Sequence, residues 1–192
     1  MDIFIVMIVN RDSDYQDVKR VFTDLNVMSQ CIRRQTAQKF NMSVASNIMK
    51  QINSKLGGES LRIKLPKFME NSRVMIIGID VCHASKQSVV GFVASTNRHC
   101  TSFFSDIICQ PKNQEIVKKD LDRIFNSALN EFHQNVGAYP QKIIVYRDGV
   151  SHEMRQQVID AEISQIKSVL KDRFNDVDPP LITLVVVNKR IN

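Results

Sequence analysis

Glycine and proline are scarce, six and five in 192 residues, which excludes collagen-like and low-complexity chains. No apolar run approaches the roughly 20 residues needed to cross a bilayer. The apolar opening Ile3 to Val9 also lacks a basic leader and a small-residue cleavage site. The chain is therefore expected to be soluble and intracellular, with no membrane partner. The four cysteines Cys31, Cys82, Cys100 and Cys109 form no C-x-x-C pair and no zinc-ligand spacing with the four histidines. They read as reduced thiols, Cys82 and Cys109 being expected in the core because apolar runs surround them. No internal repeat is present.

What remains is an ordinary globular composition, 43% apolar and 24% charged, on a chain long enough for one large core or two small ones. Lys and Arg number 26 against 20 Asp and Glu, a net charge of +6 that favours polyanionic partners. The excess leans to one end: residues 1–70 hold 11 basic and 7 acidic residues, and the rest 15 and 13.

The first stretch alternates strand and helix signals. Ile3 to Val9 has the continuous apolar character of a strand buried on both faces. A helix beginning near Asp14 follows, with Val18, Val21, Phe22 and Leu25 on one face. Val27 to Ile32 reads as a second strand and Arg33 to Lys39 as a basic loop. Ser43 is a candidate cap for a helix facing inward with Val44, Ile48, Ile52 and Leu56, closed by Gly57-Gly58. The polar segment from Pro66 to Arg73 reads as a connection.

Beyond it the pattern changes. Val74 to Val81, Ser88 to Thr96 and Thr101 to Gln110 are three strand-like runs with short links, which implies antiparallel hairpins. Ile116, Leu121, Ile124, Phe125, Leu129 and Phe132 mark a helix closed by Gly137 and Pro140. Lys142 to Tyr146 is a further strand, Ser151 opens a helix to about Leu170, and Leu181 to Val187 is a last strand. The reading is α/β, with a β-α-β-α unit over residues 1–70 and a β-β-β-α-β-α-β unit over residues 71–192.

Two carboxylates stand at the ends of apolar strands, Asp80 in "MIIGIDVCH" and Asp148 in "KIIVYRDGV". An ionised carboxylate there needs a cation or hydrogen bonds to offset its desolvation. Each has an ordinary reading: Asp148 caps the turn or pairs with Arg147, and Asp80 starts a turn before His83. Together they suggest more, because a meander followed by a helix and a fourth strand can bring that strand beside the first, so that the carboxylates converge. Converging carboxylates with divalent cations are a recipe for phosphodiester hydrolysis. Composition leaves the third ligand open among Asp106, Glu115, Asp120 and Asp122.

A second cluster lies in the first unit. Tyr15 and Lys19 are four residues apart on one helix, Gln51 and Lys55 on another, and Gln30 lies between them in sequence. Two lysines, a phenol and amides can hold a terminal phosphate; an ordinary solvated helix face has the same spacing.

The segments "IGIDVCH", "SVVGFVAS", "QEIV", "KIIVYRDGVS" and "VVVNKR", with "YQDVKR", "SQC" and "INSKLGG" before them, resemble the middle (MID) and Piwi domains of Argonaute/Piwi proteins. The resemblance implies a Rossmann-like MID unit followed by an RNase H-like Piwi domain with a mixed sheet. It matches Asp80 and Asp148 to the two catalytic aspartates, Glu115 to the mobile glutamate, and Tyr15, Lys19, Gln30 and Lys55 to the 5′-phosphate pocket. Gln51, where the better-known Argonautes have lysine, leans the chain towards the Piwi clade. Mg²⁺, with Mn²⁺ as an alternative, is the implied cofactor at Asp80, Glu115 and Asp148. A small guide RNA with a 5′-phosphate and a complementary target RNA are the implied partners.

In this family a histidine completing the metal site lies downstream of the strand that here ends in "NKRIN", and none of His83, His99, His133 or His152 matches it. The resemblance thus implies a C-terminally truncated Piwi domain, without the amino-terminal and PAZ domains. The expected function is guide binding in RNA-guided silencing, with guide-directed endoribonuclease cleavage where the metal site is complete. The alternatives are a non-cleaving RNA-binding module and a decayed fragment. The expected place is the cytoplasm, or else the nucleus or ribonucleoprotein granules.

Overall fold

The computed structural model describes residues 3–8, 12–175 and 177–187, with the side chain of Asp12 left out. Val9 and the terminal "NKRIN" therefore lie outside the described residues. The chain divides into two compact units, Met1–Arg62 and Ile63–Asn192, the first ending ahead of the Pro66 to Arg73 connection.

In the first unit β1 (Ile3–Ile8) pairs in parallel with β2 (Met28–Arg33) through α1 (Asp12–Asp24), and α3 (Met42–Lys55) completes the β-α-β-α order. The expectation that β1 is buried on both faces is wrong. Phe4, Ile5 and Met7 are more than half exposed and Ile8 is the buried residue, because this sheet has two strands among the described residues and leaves β1 uncovered. The face assigned to α1 also splits: Val18 and Phe22 are half-buried, while Val21 and Leu25 are exposed.

The basic loop from Arg33 to Lys39 is instead a short helix, α2 (Arg34–Gln38), in keeping with a Gly- and Pro-free run of helix formers. The cap of α3 is Asn41 and not Ser43: the Asn41 side chain accepts from the Val44 amide at 3.0 Å. Gly57 closes α3 in the left-handed conformation, φ +81°.

In the second unit a single turn, α4 (Lys67–Glu70), lies in the polar connection. The strands β3 (Val74–His83), β4 (Ser88–Ser95), β5 (Phe103–Gln110), β6 (Lys142–Asp148) and β7 (Leu181–Val187) form one mixed sheet in the order β5-β4-β3-β6-β7. The β3-β4 and β4-β5 pairs are antiparallel, whereas β3-β6 and β6-β7 are parallel. The fourth strand thus does return beside the first. The helix α5 (Leu121–Val136) makes the crossover into β6, and Ile116 is buried in the segment before it, not on it.

The segment after β6 begins as a 3₁₀ turn (His152–Met154), passes through α6 (Arg155–Gln157) and a π-helical turn (Val158–Ile163), and ends as α7 (Ser164–Phe174). Among the described residues no helix is long and apolar enough to cross a membrane.

Strand alternation builds the core. Met75, Ile77 and Ile79 on β3, Val90, Phe92 and Ala94 on β4, and Ile143 and Val145 on β6 turn to one face. There they meet Leu121, Ile124, Phe125, Leu129 and Phe132 of α5 and Ile166 and Leu170 of α7. The opposite face carries the exposed side chains, which corrects one expectation. Cys82 and Cys109 are free but exposed, since both occupy outward positions in register with Val89. Phe103 is 56% exposed at the start of the edge strand, while Phe104 packs edge-on against Phe92.

Candidate functional site

In the first unit the five pocket residues come together. Lys19, one turn after Tyr15 on α1, donates to the Ser29 carbonyl and to its hydroxyl, both at 2.9 Å. Lys55, at the end of α3, donates to the same carbonyl at 2.7 Å and to Gln30 Oε1 at 2.7 Å. Gln30 in turn donates to Gln51 Oε1 at 2.9 Å, and the Lys19 ammonium lies 5.9 Å from the Tyr15 ring centre.

The parallel β1-α1-β2 unit explains the meeting: Ser29 and Gln30 lie on buried β2, and both helices carry their lysines to it. Burial, and then the Lys19 charge, hold the Lys55 ammonium below its ordinary value, against a smaller upward pull from Cys31. Among the described residues neither lysine forms an ion pair with a carboxylate. Two ammonium groups on one carbonyl, repelling each other, form a site that an anion would relieve.

In the second unit alternation separates neighbours. Arg147 takes the core side of β6 after Ile143 and Val145, and Asp148 takes the other side. The β3-β6 register runs to Ile79↔Arg147, so Asp80 and Asp148 each stand one residue past the same pair. Register partners in a parallel sheet share a face, which puts both aspartates side by side opposite the core. Asp80 is exposed, and Asp148 Oδ1 accepts from the Gly149 amide at 2.9 Å.

Glu115 reaches the same strand end. A Cβ on Gly149 would come within 3.3 Å of Glu115 Oε1, and the backbone there is left-handed, φ +81°; glycine serves both needs. Glu115 is engaged, with Oε1 3.0 Å from Arg147 Nη1 and Oε2 3.1 Å from His83 Nε2. His83 is oriented by Ser88 Oγ, 2.8 Å from its Nδ1.

Arg147 is fully buried. Its Nε and Nη2 meet Glu162 at 2.9 and 3.1 Å, Nη2 also donates to the Glu115 carbonyl at 2.7 Å, and Nη1 donates to the Asp148 carbonyl. Burial opposes the guanidinium charge, but hydrogen bonding and charge from Glu162, then from Glu115, outweigh it and raise the Arg147 pKa.

The family model of the Piwi domain matches residues 2–192. This chain belongs to the Argonaute/Piwi family. The zebrafish Piwi-like protein 1 is 36% identical over 196 residues, covering 99% of this chain and 22% of its own length. The chain thus spans about a fifth of that relative. The MID-PIWI domains of Neurospora crassa QDE-2 superpose with a TM-score of 0.83 at 25% identity, covering 96% of this chain and 55% of theirs. The Kluyveromyces polysporus Argonaute with a guide RNA gives 0.81 at 23% identity, covering 97% and 23%. The mixed sheet is therefore the RNase H-like sheet of the Piwi fold.

Within this Piwi-family chain the metal expectation meets a specific arrangement. The donors are all carboxylate oxygens, the chemistry a hard cation takes, and Asp80 and Asp148 are adjacent. Among the described residues, however, no three His, Cys, Asp or Glu side chains are gathered closely enough to hold a metal ion, and both oxygens of Glu115 face Arg147 and His83. Asp80 and Asp148 are the residues that would hold a hard cation here. With Glu115 they do not form a three-carboxylate cage.

Of the other third-ligand candidates, Asp106 lies on β5 with Oδ2 3.5 Å from Arg123, and Asp120 and Asp122 start α5.

Three residues around this site escaped the sequence reading. His83, read as following a turn begun at Asp80, ends β3 and holds Glu115; Arg147, considered as a partner of the Asp148 side chain, serves Glu115 and Glu162; Glu162 was not singled out. A signal for Glu162 existed. Val158, Glu162 and Ile166 follow at helical spacing, so an acid sits on the inward stripe, and a buried acid requires a cation.

Proposed function

We propose that this chain holds the 5′-phosphate of a small guide RNA in the Lys19–Lys55 pocket and so serves RNA-guided gene silencing. The observation that carries the reading is the convergence of Lys19 and Lys55 on the Ser29 carbonyl, with Gln30 linking Lys55 to Gln51. A terminal phosphate carries up to two charges and three acceptor oxygens, whereas an internal phosphodiester carries one charge, so a paired-ammonium site favours the end of a strand. Tyr15, 45% exposed beside Lys19, is available to donate its hydroxyl to the same phosphate or to pack against the first base. The Kluyveromyces relative, solved with a guide RNA, supports the class of ligand.

The test is a titration with a short 5′-phosphorylated RNA followed by ³¹P NMR. The terminal phosphate resonance is expected to shift on binding to the chain and to stay unshifted with the Lys19→Met/Lys55→Met double variant. A resonance that moves equally with both proteins, or with neither, rejects the pocket.

A second reading is favoured by the register of Asp80 and Asp148. In it the chain cleaves a guide-paired target RNA with Mg²⁺ or Mn²⁺ held by the two aspartates and Glu115 nearby. A divalent ion there, when bound, would activate water and stabilise the leaving oxygen. Cleavage of a complementary RNA by the purified chain, lost in Asp148→Ala, is the expected outcome; no cleavage by the wild type rejects this reading and leaves the binding module.

A further inference from the structure

The best-formed polar constellation in the second unit extends behind the aspartates. Arg147 offers two edges. One edge, Nε and Nη2, is taken by both oxygens of Glu162 at 2.9 and 3.1 Å, the two-pronged geometry that fixes a guanidinium plane. Nη1, on the other side, points at Glu115 Oε1 at 3.0 Å and at the Asp148 carbonyl.

Glu162 is 1% exposed and is itself fixed. Its Oε1 accepts from the Val117 amide at 3.0 Å, two residues past Glu115. It sits in the π-helical turn Val158–Ile163. Such single turns reposition a side chain relative to the flanking α-helix and concentrate at functional sites.

We propose that Glu162 is a positioning residue. By clamping Arg147 and the Val117 amide, it holds the Glu115 carboxylate against the Gly149 turn that carries Asp148. Charge makes the case as strongly as distance. One buried guanidinium faces two carboxylates, and Glu162 takes the fully desolvated, two-pronged share. Glu115, with 15% of its side chain exposed, keeps a single side-chain contact to Arg147 through Oε1 and sets Oε2 3.1 Å from His83 Nε2. Were Glu162 neutral, Arg147 would keep the partly exposed Glu115 as its carboxylate partner among the described residues and would be free to turn towards it. For its chemical consequence this inference rests on the cleavage reading; the geometry itself does not.

The test compares the wild-type chain with Glu162→Gln and Glu162→Asp by NMR at a temperature where circular dichroism reports folded protein. In the wild type the Glu115 γ-methylene is expected to give a nuclear Overhauser contact to the Gly149 α-protons, and Arg147 Nε–H to be slow to exchange and in contact with Glu162. Glu162→Gln should lose the Glu115–Gly149 contact, and Glu162→Asp, which keeps the charge on a shorter arm, should restore part of it. Persistence of that contact in a folded Glu162→Gln overturns the inference and leaves Glu162 a structural residue. Should neither variant fold, the wild type decides alone: fast exchange at Arg147 Nε–H overturns the inference, and slow exchange with both contacts supports it. A wild type with these contacts that cleaves no RNA rejects the cleavage reading and leaves the positioning role standing.

Discussion

Replacing Arg147 with methionine removes the one cation from a buried cluster. The side chain has no exposure and its partner Glu162 has 1%, so the change strands a desolvated carboxylate that keeps, among the described residues, the Val117 amide as its donor. Breaking a buried pair from one side costs about 3–5 kcal/mol, a large part of the roughly 5–15 kcal/mol that holds a domain together. At a few degrees per kcal/mol for a unit of this size, the melting midpoint should fall by roughly 10–15 °C. The double variant Arg147→Met/Glu162→Gln removes the stranded charge as well, and should cost less than the sum of the two single changes by at least about 1.5 kcal/mol. The chain lacks tryptophan, so urea unfolding followed by far-UV circular dichroism is the suitable assay. A cost for Arg147→Met below about 1 kcal/mol, the value of an exposed pair, would refute the buried network.

Lys55→Met should weaken 5′-phosphorylated RNA by about 10- to 100-fold, the worth of one charge-assisted hydrogen bond, and leave 5′-hydroxyl RNA nearly unchanged in a filter-binding assay. Because burial and Lys19 depress the Lys55 pKa below 10.5, the folded chain holds fewer protons than the unfolded one between the depressed value and 10.5. Lys55 therefore lowers stability fully below that window and ceases to do so as pH rises through it; phosphate affinity should fall over the same rise, measured as wild type minus Lys55→Met. Asp80→Ala and Asp148→Ala should leave 5′-phosphate binding within about twofold, a difference inside the ±0.5 kcal/mol of surface substitutions, while abolishing any target cleavage on a gel. Phe125→Ala, at a core position with no exposure, should cost about 3–5 kcal/mol in unfolding free energy.

The second unit was legible in the sequence because its strands are long, separated by turn residues and ordered as a meander plus crossover. Leu181–Val187 is found with the bounds read from the sequence, and the adjacency of Asp80 and Asp148 follows from strand order. The errors have one physical source: a continuous apolar run does not say what covers it. Ile3 to Val9 read as buried on both faces, and Cys82 and Cys109 as core, although strand parity had already put Cys82 on the face of Asp80, away from Ile77 and Ile79. Capping failed by two residues at Asn41 because Ser43 and Asn41 carry equivalent acceptors. The side chains that cluster in the first unit were legible as two i,i+4 pairs, but their meeting at Ser29 depended on tertiary contact that spacing does not encode. Arg147 and Glu162 were hidden by the habit of reading charged residues as solvated; alternation on β6 and the inward stripe of the π-helical segment both point to burial.

The central claim, a specific end-group pocket and not merely a basic surface, is tested most directly by the affinity of the chain for one RNA sequence carrying either a 5′-phosphate or a 5′-hydroxyl, measured with and without Mg²⁺ at two salt concentrations. Two charge-assisted contacts, at about 1.5–3 kcal/mol each, predict a preference of about 100-fold or more for the phosphate that persists at the higher salt. Equal affinities that fall together steeply with salt, as for plain counterion release, would contradict the account.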